Sequence, residues 1–303
     1  MSNAATAGPP AAPGPLAVVG PGAVGCLVAA FLHRAGADVV LVGRPRTVGR
    51  LRDGLRVDTD RYGSWTATVP ATTEVPSGAA VLVTVKAAGL GDVVGQVAGS
   101  RPSEVLSLLN GIEHMEALRA ALPGDAVVGG AYAGETTRDL DADGPVVVRH
   151  RGELLRVTVP GSASGTAAVA ALQASDLPVV VDGTETEVLW SKLRFLAPLA
   201  LLTSVHHDGL GAALDIDADL TATLLAEVAA VATAEGVPTT GADLAAILHG
   251  LPAAMRSSLQ ADLEAGHAGE LDAIGGAVSR RGARHGVATP AVDDVVARLD
   301  AEV

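Results

Sequence analysis

Lysine is almost missing from this chain. Of 21 basic residues only Lys86 and Lys192 are lysines, and every other one is arginine. Arginine cannot release its proton in a protein, whereas a partly buried lysine can be tuned to do so. A composition this biased therefore draws attention to both lysines, although a snorkelling lysine on an amphipathic helix accounts equally well for Lys192 taken alone. Asparagine is as scarce: apart from Asn3 there is only Asn110. The lone Cys26 excludes an intrachain disulfide, and aromatics at 2% leave the cores to Ala, Val and Leu. With a net charge of −13 and a pI near 4.9, the balance argues against general binding to nucleic acid or acidic membranes. No apolar run reaches the roughly 20 residues of a membrane helix, Leu193–Val205 included, and no secretory signal opens the chain. There is no zinc spacing, no Ser-His-Asp arrangement and no Walker loop, so no metal is expected. His206-His207-Asp208 reads as a loop with surface histidines. The expectation is a soluble, cytoplasmic protein, with residues 1–15 a disordered leader rich in Ala, Pro and Gly.

What the chain does have begins at Leu16-Ala17-Val18-Val19, a short apolar run suited to a strand buried on both faces. It enters Gly20-Pro21-Gly22-Ala23-Val24-Gly25, which fits G-x-G-x-x-G. A helical pattern follows to Arg34, and a second apolar run covers 38–42. That strand, glycine turn, helix and strand form the context a dinucleotide fingerprint requires. Gly20 would make the tight turn, Gly22 would let a pyrophosphate approach the backbone, and Gly25 would permit close helix–strand packing. The helix N-terminus at Ala23 and Val24 would face the phosphates. The second run ends in Gly43-Arg44-Pro45-Arg46, where an NAD site usually carries an acidic residue. Arg44 there favours a ribose 2′-phosphate and so NADPH; the competing reading is a solvated basic loop. Cys26 reads as a small buried filler.

Further strands are predicted at 79–85, ending beside Lys86, and at 105–109, ending in Asn110-Gly111, which alone is mostly a turn signal. Runs at 126–128, 146–148 and 155–159 are expected to close the same sheet. Beyond residue 165 the pattern becomes helical, with predicted helices at 167–174, 185–205, 217–235, 240–249, 253–265, 270–285 and 290–302. Asp217 and Thr289 are the predicted caps. Arg280, Arg281 and Arg284 are expected on a solvated face. The division falls near 175–184, giving a Rossmann domain at 16–178 and a helical domain at 179–303.

The motifs taken together resemble the ketopantoate reductase-type family. They are the glycine loop, Val83-Thr84-Val85-Lys86-Ala87, Leu109-Asn110-Gly111, Leu189-Trp190-Ser191-Lys192-Leu193, and Ser257-Ser258 with Asp262 and Glu270-Leu271-Asp272. The resemblance covers most of residues 16–290. It implies an α/β Rossmann domain followed by an all-α domain like that of 6-phosphogluconate dehydrogenase. It also implies NADPH-dependent reduction of a 2-oxo acid, with pantoate formed on the way to pantothenate. By this resemblance Lys192 is the catalytic lysine, and Glu270 would orient it or a substrate hydroxyl. Asn110 and Ser258 would bind substrate, and Lys86 and Asn110 would join Gly20, Gly22, Ala23, Val24, Gly25 and Arg44 in holding the cofactor.

Two positions depart from the family pattern. Asparagines four and eight residues after the lysine are replaced by Leu196 and Ala200, on the same helix face, and Pro198 lies between them. A wall that has lost two amides fits a more apolar 2-oxo acid or ketone as well as ketopantoate. A non-catalytic NADPH-binding regulator is the alternative from another class. The partner expected is a small 2-oxo acid; a homodimer is left open.

Overall fold

The structure, a computed structural model, describes residues 14–139 and 144–302. Most of the expected leader therefore lies outside the described residues. Among the described residues eleven strands run in order: β1 (Leu16–Val19), β2 (Val39–Val42), β3 (Leu55–Thr59), β4 (Gly63–Ala67), β5 (Ala71–Thr72), β6 (Ala80–Val83), β7 (Glu104–Ser107), β8 (Val127–Gly129), β9 (Ala131–Asp139), β10 (Val146–Val159) and β11 (Val179–Val181). The helices of the first half are α1 (Ala23–Arg34), α2 (Pro45–Leu51), α3 (Leu90–Gly99), α4 (His114–Ala121) and α5 (Ala167–Ala174). Those of the second are α6 (Glu185–His206), α7 (Leu210–Ile216), α8 (Ala218–Ala234), α9 (Gly241–His249), α10 (Ser258–Glu264), α11 (Ala277–His285) and α12 (Pro290–Asp300).

Six strands form an all-parallel sheet in the order β5-β2-β1-β6-β7-β8, with Val18 registered between Leu41 and Leu82. The central strands β1 and β6 are buried throughout, as their unbroken apolar runs require. The chain builds outward from β1 through β2 and then crosses back to β6. The switch point of the sheet, and its ligand crevice, therefore lies beyond the C-terminal ends of β1 and β6. An N-terminal Rossmann-like domain followed by a mostly helical one is the architecture expected.

Several local expectations need correction. Residues 146–148 and 155–159 do not close this sheet. They are two parts of the single strand β10, which belongs to a second sheet, β11-β10-β3-β4, with β9 paired antiparallel to β10. A register shift between Arg151 and Leu155, at Gly152 (φ 77°), interrupts the apolar alternation that would have read as one strand. The expected helix at 253–265 begins only at Ser258, capped by Ser257. The expected helix at 270–285 holds a π-helical turn, Asp272–Gly276, before α11. Asp217 caps α8 as expected, but Thr289 makes no side-chain cap. The first amides of α12, at Ala291 and Val292, donate instead to the buried carboxylate of Glu227 on α8 at 3.0 and 2.9 Å, a placement the positive end of the helix favours.

Helix α6 starts in a capping box, Thr184 with Glu187, and runs through Pro198 without ending. It is long and apolar enough to cross a membrane, yet 72% of its most apolar window is buried inside the protein. One apolar cluster runs from a face of the parallel sheet (Val19, Val83) through Leu189, Trp190 and Leu193 of α6 into α8 and α12. The helix that carries Lys192 is thereby fixed against the sheet that carries the glycine loop.

Candidate active site

The glycine loop has the form its spacing implies. Gly20 sits at φ 100°, and a Cβ there would lie 2.6 Å from the Val85 nitrogen. A Cβ on Gly25 would lie 2.2 Å from the Gly20 carbonyl and 2.4 Å from Thr84 Oγ1, so only glycine fits. Thr84 Oγ1 donates to the Val19 and Gly20 carbonyls at 3.1 and 2.8 Å and fastens the loop to β6. Gly22 meets nothing closer than 3.9 Å, leaving its backbone open to approach. It is also the N-cap of α1 and makes no side-chain cap bond, so the helix presents bare amides at Ala23 and Val24. A cleft of about 390 Å³ opens over this loop, lined by Gly20, Pro21, Gly22, Arg44, Thr47 and Arg138 among others. Arg44 is exposed at its rim and pairs with Asp92 of α3 at 3.2 Å. Cys26 is buried beneath the loop, and burial pushes its thiol up to about 12, as befits a filler.

Lys86, expected at the cofactor, is placed at the end of β6. Its ammonium reaches across to Asp262 of α10, 2.7 Å from both carboxylate oxygens.

The second lysine anchors a different constellation. Lys192 Nζ donates to Asn110 Oδ1 at 2.6 Å, and Asn110 Nδ2 donates to Glu270 Oε2 at 2.6 Å. The other Glu270 oxygen accepts from the Ala87 amide at 3.0 Å, at the C-terminal side of β6. Burial lowers the Lys192 ammonium to about 8, and the Glu270 charge opposes that fall. An amine that titrates near neutrality, held by an amide that a carboxylate orients, can serve as a proton donor.

Glycine geometry holds this relay together. Gly111, at φ 81°, seats the Asn110 turn so closely on the π-helical turn that a Cβ would lie 2.3 Å from the Ala273 carbonyl. Gly269 (φ 59°) directs Glu270 just ahead of that turn, a helix irregularity of the kind found at functional sites. Ser258 is the first residue of α10 and is exposed. Among the described residues no hydrogen bond joins it to Lys192, Asn110 or Glu270. Its neighbour Ser257 is buried, accepts from Thr203 Oγ1 at 2.9 Å, and has a structural part as the cap. Leu196, one turn beyond Lys192, is half-buried. Ala200 is completely buried and so offers no surface to a ligand, which corrects its expected place in the pocket wall.

Residues 16–163 match the family described as "Ketopantoate reductase PanE/ApbA", and residues 186–302 match its C-terminal counterpart. A 2-dehydropantoate 2-reductase of Caulobacter vibrioides is 33% identical, covering 94% of this chain and 98% of the relative. The chain belongs to the ketopantoate reductase family. An uncharacterized oxidoreductase of Bacillus subtilis, YkpB, is 28% identical over 93% of this chain and 96% of its own. Among solved structures, a family ketopantoate reductase from Ralstonia eutropha superposes with a TM-score of 0.83 at 28% identity, covering 95% of this chain and 97% of that one. A D-mandelate dehydrogenase complex with NADH and anilino(oxo)acetate shares the fold, with a TM-score of 0.80 at 23% identity and coverage of 95% and 97%.

Seen as a ketopantoate reductase-family chain, the protein carries features its motifs did not signal. His114, the first residue of α4, is buried with neither ring nitrogen hydrogen-bonded among the described residues. Burial first, then the positive charges of Lys192 and Arg119, lower it to about 4, so it stays neutral beside the lysine. Arg280 and Arg284 are exposed as expected and Arg281 is half-buried, and the face they form also meets acidic partners. Arg280 pairs with Glu113 at 2.7 Å, and Arg281 and Arg284 pair with Glu116 at 2.7 and 2.6 Å. They clamp α11 to the segment that follows Asn110. Helix periodicity places the three arginines on one face but does not identify what that face meets.

Proposed function

We propose that this protein reduces a 2-oxo acid to the 2-hydroxy acid with NADPH, and that 2-dehydropantoate is the substrate to test first, in pantothenate synthesis. The observation that carries the reading is the hydrogen-bonded run from Lys192 through Asn110 to Glu270. The glycine loop fits a dinucleotide, since Gly25 admits no side chain and the α1 amides are uncapped. Arg44 at the rim supports the 2′-phosphate of NADPH over NADH. When bound, the dinucleotide supplies the hydride that reaches the ketone carbon.

Lys192 then has the part of acid. Its ammonium hydrogen-bonds the carbonyl oxygen, stabilises the charge that develops there and donates the proton. With its pKa lowered to about 8 it is mostly charged at neutral pH yet gives up the proton readily. Asn110 and Glu270 position it, and Ser258 is assigned to the substrate carboxylate. The same reading gives residues 16–178 to the cofactor and 179–303 to catalysis. A second reading, a more apolar 2-oxo acid, is favoured by the apolar Leu196 beside Lys192. Purified protein with NADPH, a panel of 2-oxo acids and the loss of reduced-nicotinamide absorbance tests both. Turnover of 2-dehydropantoate supports the first and preference for an apolar acid the second. Tight NADPH binding with no ketone reduced would mean a non-catalytic regulator.

A further inference from the structure

The cofactor cleft holds a cation that the glycine fingerprint does not assign. Arg138 lies near the end of β9, a strand of the second sheet rather than the Rossmann sheet. Its half-buried guanidinium lines the cleft and donates to the carbonyl of Pro21, inside the glycine loop. Among the described residues it makes no other hydrogen bond and no ion pair. This sets it apart from Arg44, which already has Asp92. A guanidinium has five N–H donors in a planar fork, and one is spent here. Burial disfavours its charge, and among the described residues no carboxylate compensates. Such a group is completed by an anion that brings its own charge into the cleft. Just after the same loop, α1 presents uncapped amides at Ala23 and Val24, which also call for an anion.

We infer that Arg138 is the second ligand of the dinucleotide pyrophosphate, gripping from β9 the group that the α1 N-terminus also binds. The assignment rests on the dinucleotide reading given above and goes beyond it by adding a residue from outside the Rossmann unit. Pro21 fixes the site: the guanidinium is tied to the loop that faces the pyrophosphate, whereas Arg44 follows β2, where the adenine ribose is read. Arg138 is therefore indifferent to the 2′-phosphate, and Arg44 is not.

Calorimetric titration of the full-length protein with NADPH and, separately, NADH provides the test, using wild type, Arg138→Ala and Arg138→Gln. Arg138→Ala is expected to weaken both dinucleotides by a similar factor of about 10 or more, the span of a lost charge-assisted hydrogen bond. The NADPH-to-NADH ratio should stay that of wild type. Arg138→Gln keeps a donor for the Pro21 carbonyl, so it guards against a loop defect and should show the same parallel loss. Unchanged affinities in a folded variant overturn the inference. So does a loss confined to NADPH, which would put the guanidinium on the ribose phosphate. If the wild type binds neither dinucleotide, the proposed function fails rather than the role of Arg138.

Discussion

Replacing Glu270 with glutamine tests the Lys192 relay at its source. Both Glu270 oxygens accept: Oε1 from the Ala87 amide at 3.0 Å, Oε2 from Asn110 Nδ2 at 2.6 Å. A glutamine must turn its NH₂ towards one of two donors. If Asn110 flips to relieve the clash, its own NH₂ faces the Lys192 ammonium, which needs an acceptor. The charge is lost as well. Glu270 lies roughly 6–7 Å from the ammonium across one amide, and at an effective dielectric near 20 that interaction is about 2.5 kcal/mol. The carboxylate now props up an amine that burial has lowered to about 8. Without it the ammonium loses its proton at lower pH. Above that point the reductive rate should fall by up to roughly 70-fold relative to wild type. The assay is kcat for 2-oxo acid reduction from pH 5.5 to 9.5. Wild type should lose activity as pH rises through about 8, and Glu270→Gln should lose it earlier, with NADPH affinity little changed. A descending limb that stays in place, or moves to higher pH, would refute both the electrostatic link and the assignment of Lys192 as the acid.

Three further outcomes follow from the same geometry. Because Lys192 titrates near 8 when folded but near 10.5 when unfolded, the unfolded chain binds more protons between those values. Folding is therefore penalised at neutral pH by at most about 3 kcal/mol, and the penalty fades as pH rises through 8 to 10.5. Lys192→Met should melt higher than wild type at pH 7, with a gain reduced by the acceptor left open on Asn110 and a gap that narrows above pH 8; a lower melting point throughout would contradict this. Asp92→Asn frees Arg44 from its partner and should tighten NADPH by a few-fold while leaving NADH alone, as read by fluorescence titration. Leu196→Asn restores an amide one turn from Lys192 and should shift kcat/KM towards 2-dehydropantoate by roughly tenfold; an unchanged ratio would remove Leu196 from the specificity wall.

Much of the fold was legible because it rests on local patterns. Strands buried on both faces read as unbroken apolar runs, and the glycine spacing after β1 fits the dinucleotide fingerprint. What escaped depends on contacts between distant segments. Polar residues around a register shift in β10 hid one long strand as two short ones. The cap of α12 comes from Glu227, 64 residues before the amide it meets, so local sequence offered only Thr289. In the site, scarcity was the signal: two lysines and one interior asparagine stand out in an Arg-rich chain. Arg138 had no such signal among so many arginines, nor had His114, lying between Glu113 and Met115 at the start of an amphipathic helix. The i, i+4 rule correctly set Leu196 and Ala200 on one face, but that face turns into the core by Ala200.

The relay also explains why neither half of the chain could carry this site alone. Lys192 is on α6, Asn110 follows β7 and Glu270 precedes the π-helical turn, so each bond of the relay joins segments 82 or more residues apart. Such a site is only as well placed as the packing between those segments. Gly111 brings the Asn110 backbone against the Ala273 carbonyl, Lys86 ties β6 to α10 through Asp262, and the arginines of α11 hold Glu113 and Glu116. Exposed ion pairs contribute little individually, so the clamp matters for placement more than for stability. The buried α6 supplies the rigidity, because its apolar face continues the core beneath the parallel sheet. Desolvation of Lys192 and its orientation thus have one cause: the helix is buried between the two halves, and the amine it carries is lowered towards neutrality by the same packing that aims it at Asn110.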